Sequence, residues 1–132
     1  MTETMAAASG RPYEVKRLQT VAIPKAKVLG ETHGLLKAIV DTETGLILGA
    51  TLFCPEAHEL INLLKLAMDH QIPAEALRTQ IFTHPTIAEA LNDLFAPNYR
   101  TSLSLPYTKS FAPDPSRRDG SGAKLFLCQC GD

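Results

Sequence analysis

The sequence predicts an α+β domain in which helices pack on one face of an antiparallel β-sheet. In the first half of the chain, short β-prone runs are separated by turn residues. After Pro55 the apolar residues recur with the period of an amphipathic helix. Strands that come first and helices that follow favour an antiparallel sheet over a parallel one.

Bulk composition narrows the class of protein. A length of 132 residues allows one domain with a modest core. The 13 basic and 14 acidic side chains nearly cancel, so no basic surface is expected to attract nucleic acid. No apolar run reaches the roughly 20 residues of a membrane helix, and the N-terminus lacks a secretory signal pattern. We therefore expect a cytoplasmic protein that binds neither nucleic acid nor membrane.

Two strands are predicted before residue 30. The extended stretch from Tyr13 to Ile23 carries spaced apolar residues and ends at Pro24. Residues 25–29 then alternate polar and apolar side chains, which predicts a second, half-buried strand.

A β-hairpin is predicted from residues 35–40 and 46–53, which are both apolar and β-prone. The five-residue connection, 41–45, ends in a glycine, as a turn needing a positive φ requires. Gly34 and Gly49 are expected to mark a bulge or a close approach of backbones.

Helical spacing begins after the hairpin. One helix face is predicted to consist of Ala57, Leu60, Ile61, Leu64, Ala67 and Met68. Leu63 and Leu66 lie off this stripe, so the apolar arc is wide and suggests contacts on more than one side. Pro73 is well placed to open a short helix through Leu77.

A last helix is predicted from Thr86 to about Phe95, after a brief extended piece at Ile81 and Phe82. Residues 97–132 contain four of the nine prolines, many serines and glycines, and no sustained periodicity. We expect three regions: a disordered leader at 1–12, the folded domain at 13–96, and a mobile or irregular tail at 97–132.

The segment from Ile81 to Leu91 contains the residues most suited to chemistry. Pro85 excludes His84 from the helical region of backbone space. Thr86 and Glu89 have the spacing of a capping box, so Glu89 can reach either the Thr86 amide or the His84 ring. On one interpretation Glu89 only caps the helix; on the other, His84 and Glu89 form a general acid/base pair.

The run from His84 to Glu89, His-Pro-Thr-Ile-Ala-Glu, resembles the His-Pro-Thr-x-x-Glu signature of the pyridine nucleotide-disulfide oxidoreductases. Further similarities precede it in the same order, at residues 30–37, 44–50 and 59–61. The resemblance covers roughly residues 20–96 and favours the mercuric-reductase-like members, including a reactive-chlorine-induced flavoprotein branch. It implies the dimerisation-domain fold of these FAD- and NAD(P)H-dependent enzymes.

The resemblance also implies roles for individual residues. His84 would manage the proton of the partner subunit's redox dithiol, and Glu89 would orient His84. The peptide bond between His84 and Pro85 would be cis, and these two residues would approach the partner subunit's flavin. The implied partner is a second copy of the chain or a full-length flavoenzyme subunit.

The chain departs from the family in the features that hold cofactors. No glycines have the spacing of a dinucleotide fingerprint, and Cys54 has no paired cysteine nearby. We therefore expect the isolated chain to bind neither FAD nor NAD(P)H and to be inactive. A family strand before Tyr13 also has no counterpart, which is expected to leave one sheet edge unpaired.

Other residues allow weaker hypotheses. Cys128 and Cys130 suggest a thiol relay or a soft-metal site. Cys54 is interpreted as a small buried hydrophobe, His33, His58 and His70 as surface residues, and no metal site is predicted. The alternative to a redox-enzyme fragment is a stand-alone dimerising module without chemistry.

Overall fold

A computed structural model describes residues 1–97 and the backbone of residues 124–129. Its antiparallel sheet has the order β1-β2-β3-β4. The strands are β1 (Tyr13–Gln19), β2 (Leu35–Asp41), β3 (Ile47–Cys54) and β4 (Lys124–Gln129). The helices are α1 (Glu3–Ala8), α2 (Pro24–Leu29), α3 (Ala57–Asp69), α4 (Ala74–Thr79) and α5 (Ala90–Leu94), with a 3₁₀ turn at Thr20–Ala22. The predicted α+β class is confirmed.

The β2–β3 hairpin forms where the sequence predicts it. Asp41 organises the turn, because its Oδ1 accepts hydrogen bonds from the backbone N–H groups of Glu43 at 2.9 Å and Thr44 at 3.0 Å. The Thr44 backbone bond is the main cause of the lowered pKa of Asp41. Gly45 adopts φ 72°, the left-handed conformation that the turn requires.

The main core lies between one face of the sheet and helices α2 to α5. Leu36, Ala38 and Val40 point into it from β2, since alternate residues of a strand share a face. From α3 it receives Ala57, Leu60, Leu64, Ala67 and Met68. The predicted helix face is therefore confirmed, except that Ile61 is only partly buried. Leu66, off the stripe, is 53% exposed.

The prediction of a disordered leader at 1–12 is wrong, because residues Glu3–Ala8 form α1. Ala6 is buried in a second, smaller cluster with Ile39 and Leu48. Ile39 alternates with the main-core residues of β2, so α1 lies on the opposite face of the sheet. A side chain as small as alanine gives little hydrophobic signal, and the contact that orders it is distant in sequence.

Ion pairs also hold α1 against the sheet. Glu3 accepts hydrogen bonds from Arg17 on β1 at 3.1 Å and from Lys37 on β2 at 3.3 Å. The hydrogen bond from Lys37 is the main cause that lowers the pKa of Glu3. Because the pKa is lowered on folding, the stabilisation from this contact is present at neutral pH and is lost as the pH falls through that lowered pKa.

The prediction of a strand at residues 25–29 is also wrong: this segment is α2. Pro24 occupies its first turn, and Gly30 ends it with φ 74°. Ala26 is fully buried whereas Val28 is 71% exposed. A strand would place these two side chains on the same face, so their difference in burial agrees with a helix. The segment is too short for its helical period to be recognised in the sequence.

The tail is not irregular throughout, because Lys124–Gln129 pairs with β3 as strand β4. This pairing corrects the expectation of a wholly mobile or irregular region at 97–132, and it covers the edge of β3 that faces away from β2. Strand β1 forms the other edge of the sheet.

The two glycines expected at close approaches are confirmed. A Cβ atom at Gly34 would lie 1.9 Å from the carbonyl oxygen of Phe53, and one at Gly49 would lie 2.0 Å from that of Met1. The pairing of β2 with β3 also shifts register between Ile39 and Val40. A side chain at Gly34 would clash with the backbone of β3, and one at Gly49 would clash with the backbone of the N-terminal residue.

Candidate functional site

The candidate site lies on the connection between α4 and α5. The predicted cis peptide bond between His84 and Pro85 is present. The last helix begins at Ala90 rather than at Thr86. Residues 87–89 form a tight turn that leads into this helix, in which the N–H of Ala90 donates to the carbonyl of Ile87 at 3.1 Å. The apolar face predicted for this segment is buried: Ile87 is 2% exposed and Leu91 is 0% exposed.

Glu89 binds both groups that the sequence placed within its reach. Its Oε2 lies 2.7 Å from Nδ1 of His84, and its Oε1 accepts a longer hydrogen bond of 3.4 Å from the Thr86 N–H. Thr86 Oγ1 accepts in return from the Glu89 N–H at 3.3 Å. The two interpretations of Glu89 are therefore compatible, because each carboxylate oxygen serves one of them.

The two members of the pair differ in exposure. The His84 side chain is 68% exposed, whereas that of Glu89 is 18% exposed. A carboxylate at Nδ1 favours the tautomer that carries its proton there, so Nε2 is left as the basic nitrogen. Among the described residues, Nε2 of His84 makes no hydrogen bond. The arrangement can accept a proton from a group brought to it from outside the chain.

Two contacts hold the turn that carries His84 and Glu89. Thr86 Oγ1 donates to the Thr83 carbonyl at 2.7 Å, which closes the segment around Pro85. Ile87 anchors it in the main core. An open groove of about 150 Å³ runs beside it, lined by Glu56, Glu59, Leu60, Leu63, Thr86, Ile87 and Ala88. The exposed histidine therefore lies on an anchored turn beside an open, largely apolar groove.

Two polar residues of structural importance were missed at the level of sequence. Asn92 donates from Nδ2 to three carbonyls at the end of α4. Lys16 is buried, bonds to the Ala96 carbonyl at 3.3 Å and pairs with Glu14 at 3.0 Å. The sequence offers one signal, a polar residue beside an apolar one, such as Asn92 beside Leu91. This signal does not show which residues Asn92 contacts, because its partners lie 12 to 15 residues away in sequence.

Cys54 is confirmed as a buried hydrophobe. It is fully enclosed, and burial raises the pKa of its thiol to about 11. His33, His58 and His70 are exposed, as predicted for surface residues. Within the described residues no group of three or more potential metal ligands occurs. The side chains of Cys128 and Cys130 lie outside the described residues.

We expect Cys54 to resist alkylation in the folded protein. A pKa raised by about two units reduces the reactive thiolate at neutral pH by roughly 100-fold, and burial hinders access further. The measurement is the rate of iodoacetamide labelling in a variant with Cys128→Ser and Cys130→Ser, so that one thiol remains. The same variant unfolded in guanidinium is the control and should label fully. Rapid labelling of the folded form contradicts the prediction.

With this geometry established, comparison with known proteins identifies the family. The family model for the pyridine nucleotide-disulphide oxidoreductase dimerisation domain matches residues 1–95. The chain belongs to this family. The match also includes the residues of α1, which the sequence alone had suggested were a disordered leader.

Individual relatives agree with this assignment. The chain is 51% identical over 96 residues to the probable pyridine nucleotide-disulfide oxidoreductase RclA of Escherichia coli, covering 73% of this chain and 22% of that protein. It is 37% identical over 104 residues to a dihydrolipoyl dehydrogenase of Rhizobium etli, covering 79% and 22%. The predicted resemblance to flavoprotein disulfide reductases is confirmed.

A solved structure shows the same fold. The HOCl-induced flavoprotein disulfide reductase RclA from Escherichia coli superimposes with a TM-score of 0.71 at 52% identity, over 72% of this chain and 22% of that one. This relative fits the reactive-chlorine-induced branch suggested by the sequence. The chain spans about a fifth of the length of these relatives. No helix within the described residues is long and apolar enough to cross a membrane.

Proposed function

We propose that this chain is the dimerisation domain of an FAD- and NAD(P)H-dependent disulfide oxidoreductase, and that His84 and Glu89 act as an acid/base pair on the redox dithiol of a partner subunit. One observation carries the proposal: an exposed imidazole held at 2.7 Å by a largely buried carboxylate. In a family of disulfide reductases, the group offered to such an imidazole is a thiol.

The chemistry follows from thiol–disulfide exchange. A thiol of the partner gives its proton to Nε2 of His84, and the resulting thiolate attacks one sulfur of a disulfide substrate. A new S–S bond forms as the old one breaks, and the departing thiolate takes the proton back from the imidazolium. Glu89 stabilises the imidazolium during the interval and keeps the ring in the required tautomer.

The described residues do not fit a dinucleotide cofactor. FAD and NAD(P)H are typically bound where a glycine-rich turn joins a parallel strand to a helix, and every strand pair here is antiparallel. Two grooves among the described residues, of about 150 and 420 Å³, are both open to solvent. We therefore assign FAD and NAD(P)H to parts of a complete enzyme other than these residues.

The purified chain is expected to show no NAD(P)H oxidation, with or without added FAD, because its sequence has no dinucleotide fingerprint and its described residues do not fit either cofactor. The assay follows absorbance of the reduced nicotinamide in the presence of a disulfide substrate. An intact flavoprotein disulfide reductase under the same conditions is the positive control. Steady turnover that purifies with the chain contradicts this part of the proposal.

Self-association is expected, with a second copy or a full-length subunit as the partner. Ile81 and Leu66 expose 92% and 53% of their surface, and a second subunit would remove such apolar surface from water. Sedimentation velocity at tens of micromolar protein should show a dimer. A species that stays monomeric throughout that range contradicts homodimerisation by the isolated chain.

A further inference from the structure

Asn92 links the end of α4 to α5. Its Nδ2 donates to the carbonyl oxygens of Leu77 at 3.0 Å, Arg78 at 2.8 Å and Gln80 at 2.9 Å. A primary amide has two hydrogens, so the three contacts share them. The last carbonyls of a helix lack partners within the helix, and Asn92 supplies a partner from another element.

Asn92 forms hydrogen bonds with backbone groups close in sequence to both members of the acid/base pair. It lies one turn after Glu89, and its backbone N–H binds the Glu89 carbonyl at 3.1 Å. Gln80, at the other end of the link, begins the extended segment that leads to His84. One side chain therefore joins the backbone four residues before His84 to the helix that follows Glu89.

Capping of α4 accounts for the bonds to Leu77 and Arg78 but not for the bond to Gln80. The hydroxyl of Thr79 already donates to the carbonyl of Glu75 at 3.0 Å, which serves the last turn. Gln80 lies beyond the helix, with an extended ψ of 140°. A bond to its carbonyl adds nothing to the helix itself but does restrain where the chain leaves it.

We infer that Asn92 is a positioning residue that holds the His84 segment against Glu89. The inference rests on the proposed function, because the pair matters only if His84 transfers protons. Removal of the amide is expected to release the 80–84 segment and to lengthen or break the bond between His84 and Glu89. The fold should persist, since Leu91 and Leu94 remain buried in the core.

The test measures the tautomer of His84 in the full 132-residue chain. Long-range ¹H–¹⁵N spectra of histidine-labelled protein distinguish a proton on Nδ1 from one on Nε2, at a mildly alkaline pH where imidazole is neutral. Wild type should show one tautomer at His84, protonated at Nδ1. Asn92→Ala should lose this single pattern and give a mixture, with His33, His58 and His70 unchanged.

Two further variants test whether the effect comes from the lost amide donors, from the changed shape of the side chain or from unfolding of the protein. Asn92→Asp keeps the shape without the donors, so it should lose the pattern as Asn92→Ala does. Asn92→Ser is a milder variant, to be used if Asn92→Ala or Asn92→Asp does not fold. It is expected to give an intermediate mixture of tautomers. Asn62→Ala is the matched control, because among the described residues Asn62 Nδ2 donates within α3, to the His58 carbonyl at 3.1 Å, and the substitution should leave His84 unaffected.

The outcomes distinguish the two proposals. A single Nδ1–H tautomer that persists in folded Asn92→Ala or Asn92→Ser overturns the role of Asn92 and leaves the proposed acid/base pair intact. A mixture already present in wild type overturns both, because the bond between His84 and Glu89 is then not formed in solution. A mixture that appears only when Asn92 changes supports the positioning role.

Discussion

Replacement of His84 by alanine is expected to lower turnover by ~10²–10⁴-fold in an enzyme that contains this domain. On the proposed mechanism the loss follows because the partner's thiol no longer has the imidazole as its proton acceptor, so that only the small fraction of spontaneous thiolate reacts. A suitable enzyme is a chimera of the Escherichia coli RclA relative, with its matching 96-residue segment replaced by that of this chain. An identity of 51% over that segment makes the exchange practicable.

The measurement is the disulfide-dependent oxidation of NAD(P)H by the chimera, after its flavin content has been checked by absorbance. His70→Ala is the matched control, because His70 is an exposed histidine at the end of α3, away from the candidate site. Its turnover should equal that of the parent chimera. Flavin content should be the same in all variants, so that any loss reflects proton transfer rather than assembly.

Glu89→Gln separates the two functions of Glu89. Glutamine can still cap the Thr86 N–H, so the turn should fold normally. It cannot stabilise an imidazolium as a carboxylate does, so turnover should fall, although less than in His84→Ala.

Unchanged turnover in His84→Ala would contradict the proposed acid/base role. If the chain then still forms dimers, the remaining interpretation is an interaction module without chemistry. Loss of turnover together with loss of flavin would point to a defect of assembly instead.

Replacement of Leu64 by alanine is expected to destabilise the domain by about 2–5 kcal/mol. Leu64 is fully buried at the centre of α3, within the main core. Its removal loses apolar contact and leaves a cavity, because neighbouring residues relax only in part. Total stabilities of small domains are about 5–15 kcal/mol, so this variant should lie close to unfolding.

Urea denaturation followed by circular dichroism measures this loss. Leu66→Ala is the control: the same substitution in the same helix, at a side chain that is 53% exposed. It should change the free energy of unfolding by less than about 1 kcal/mol in the monomer. Equal effects at the two positions would contradict the assigned orientation of α3. Dimerisation should be checked for Leu66→Ala, since this side chain is exposed where a partner is expected.

Local chemistry explains what could be predicted of the site. Pro85, Thr86 and Glu89 act through neighbours within five residues of one another, so the capping box and the contact of Glu89 with His84 could be anticipated. The role of Asn92 could not, because its partners belong to another helix. Its acceptors are backbone carbonyls, which every residue carries, so no residue type in the sequence marks them.

The wrong predictions for residues 25–29 and for α1 have the same physical origin. Residues 25–29 alternate in polarity as a strand does, but six residues of helix bury one alanine and leave Val28 in solvent. Helix α1 carries only one buried residue, and its ion pairs join it to strands at positions 17 and 37. Short elements contain too few residues for periodicity to be decisive, so tertiary contacts select their structure.

The sequence by itself determined the α+β class, the β2–β3 hairpin, the buried face of α3 and the family, because these depend on periodicity, turn residues and contiguous motifs. Only the tertiary structure decided that α1 covers the second face of the sheet, that β4 pairs with β3, and that Asn92 joins two helices. These features depend on contacts between residues far apart in the chain, which become neighbours only when apolar surface is buried and backbone groups find partners.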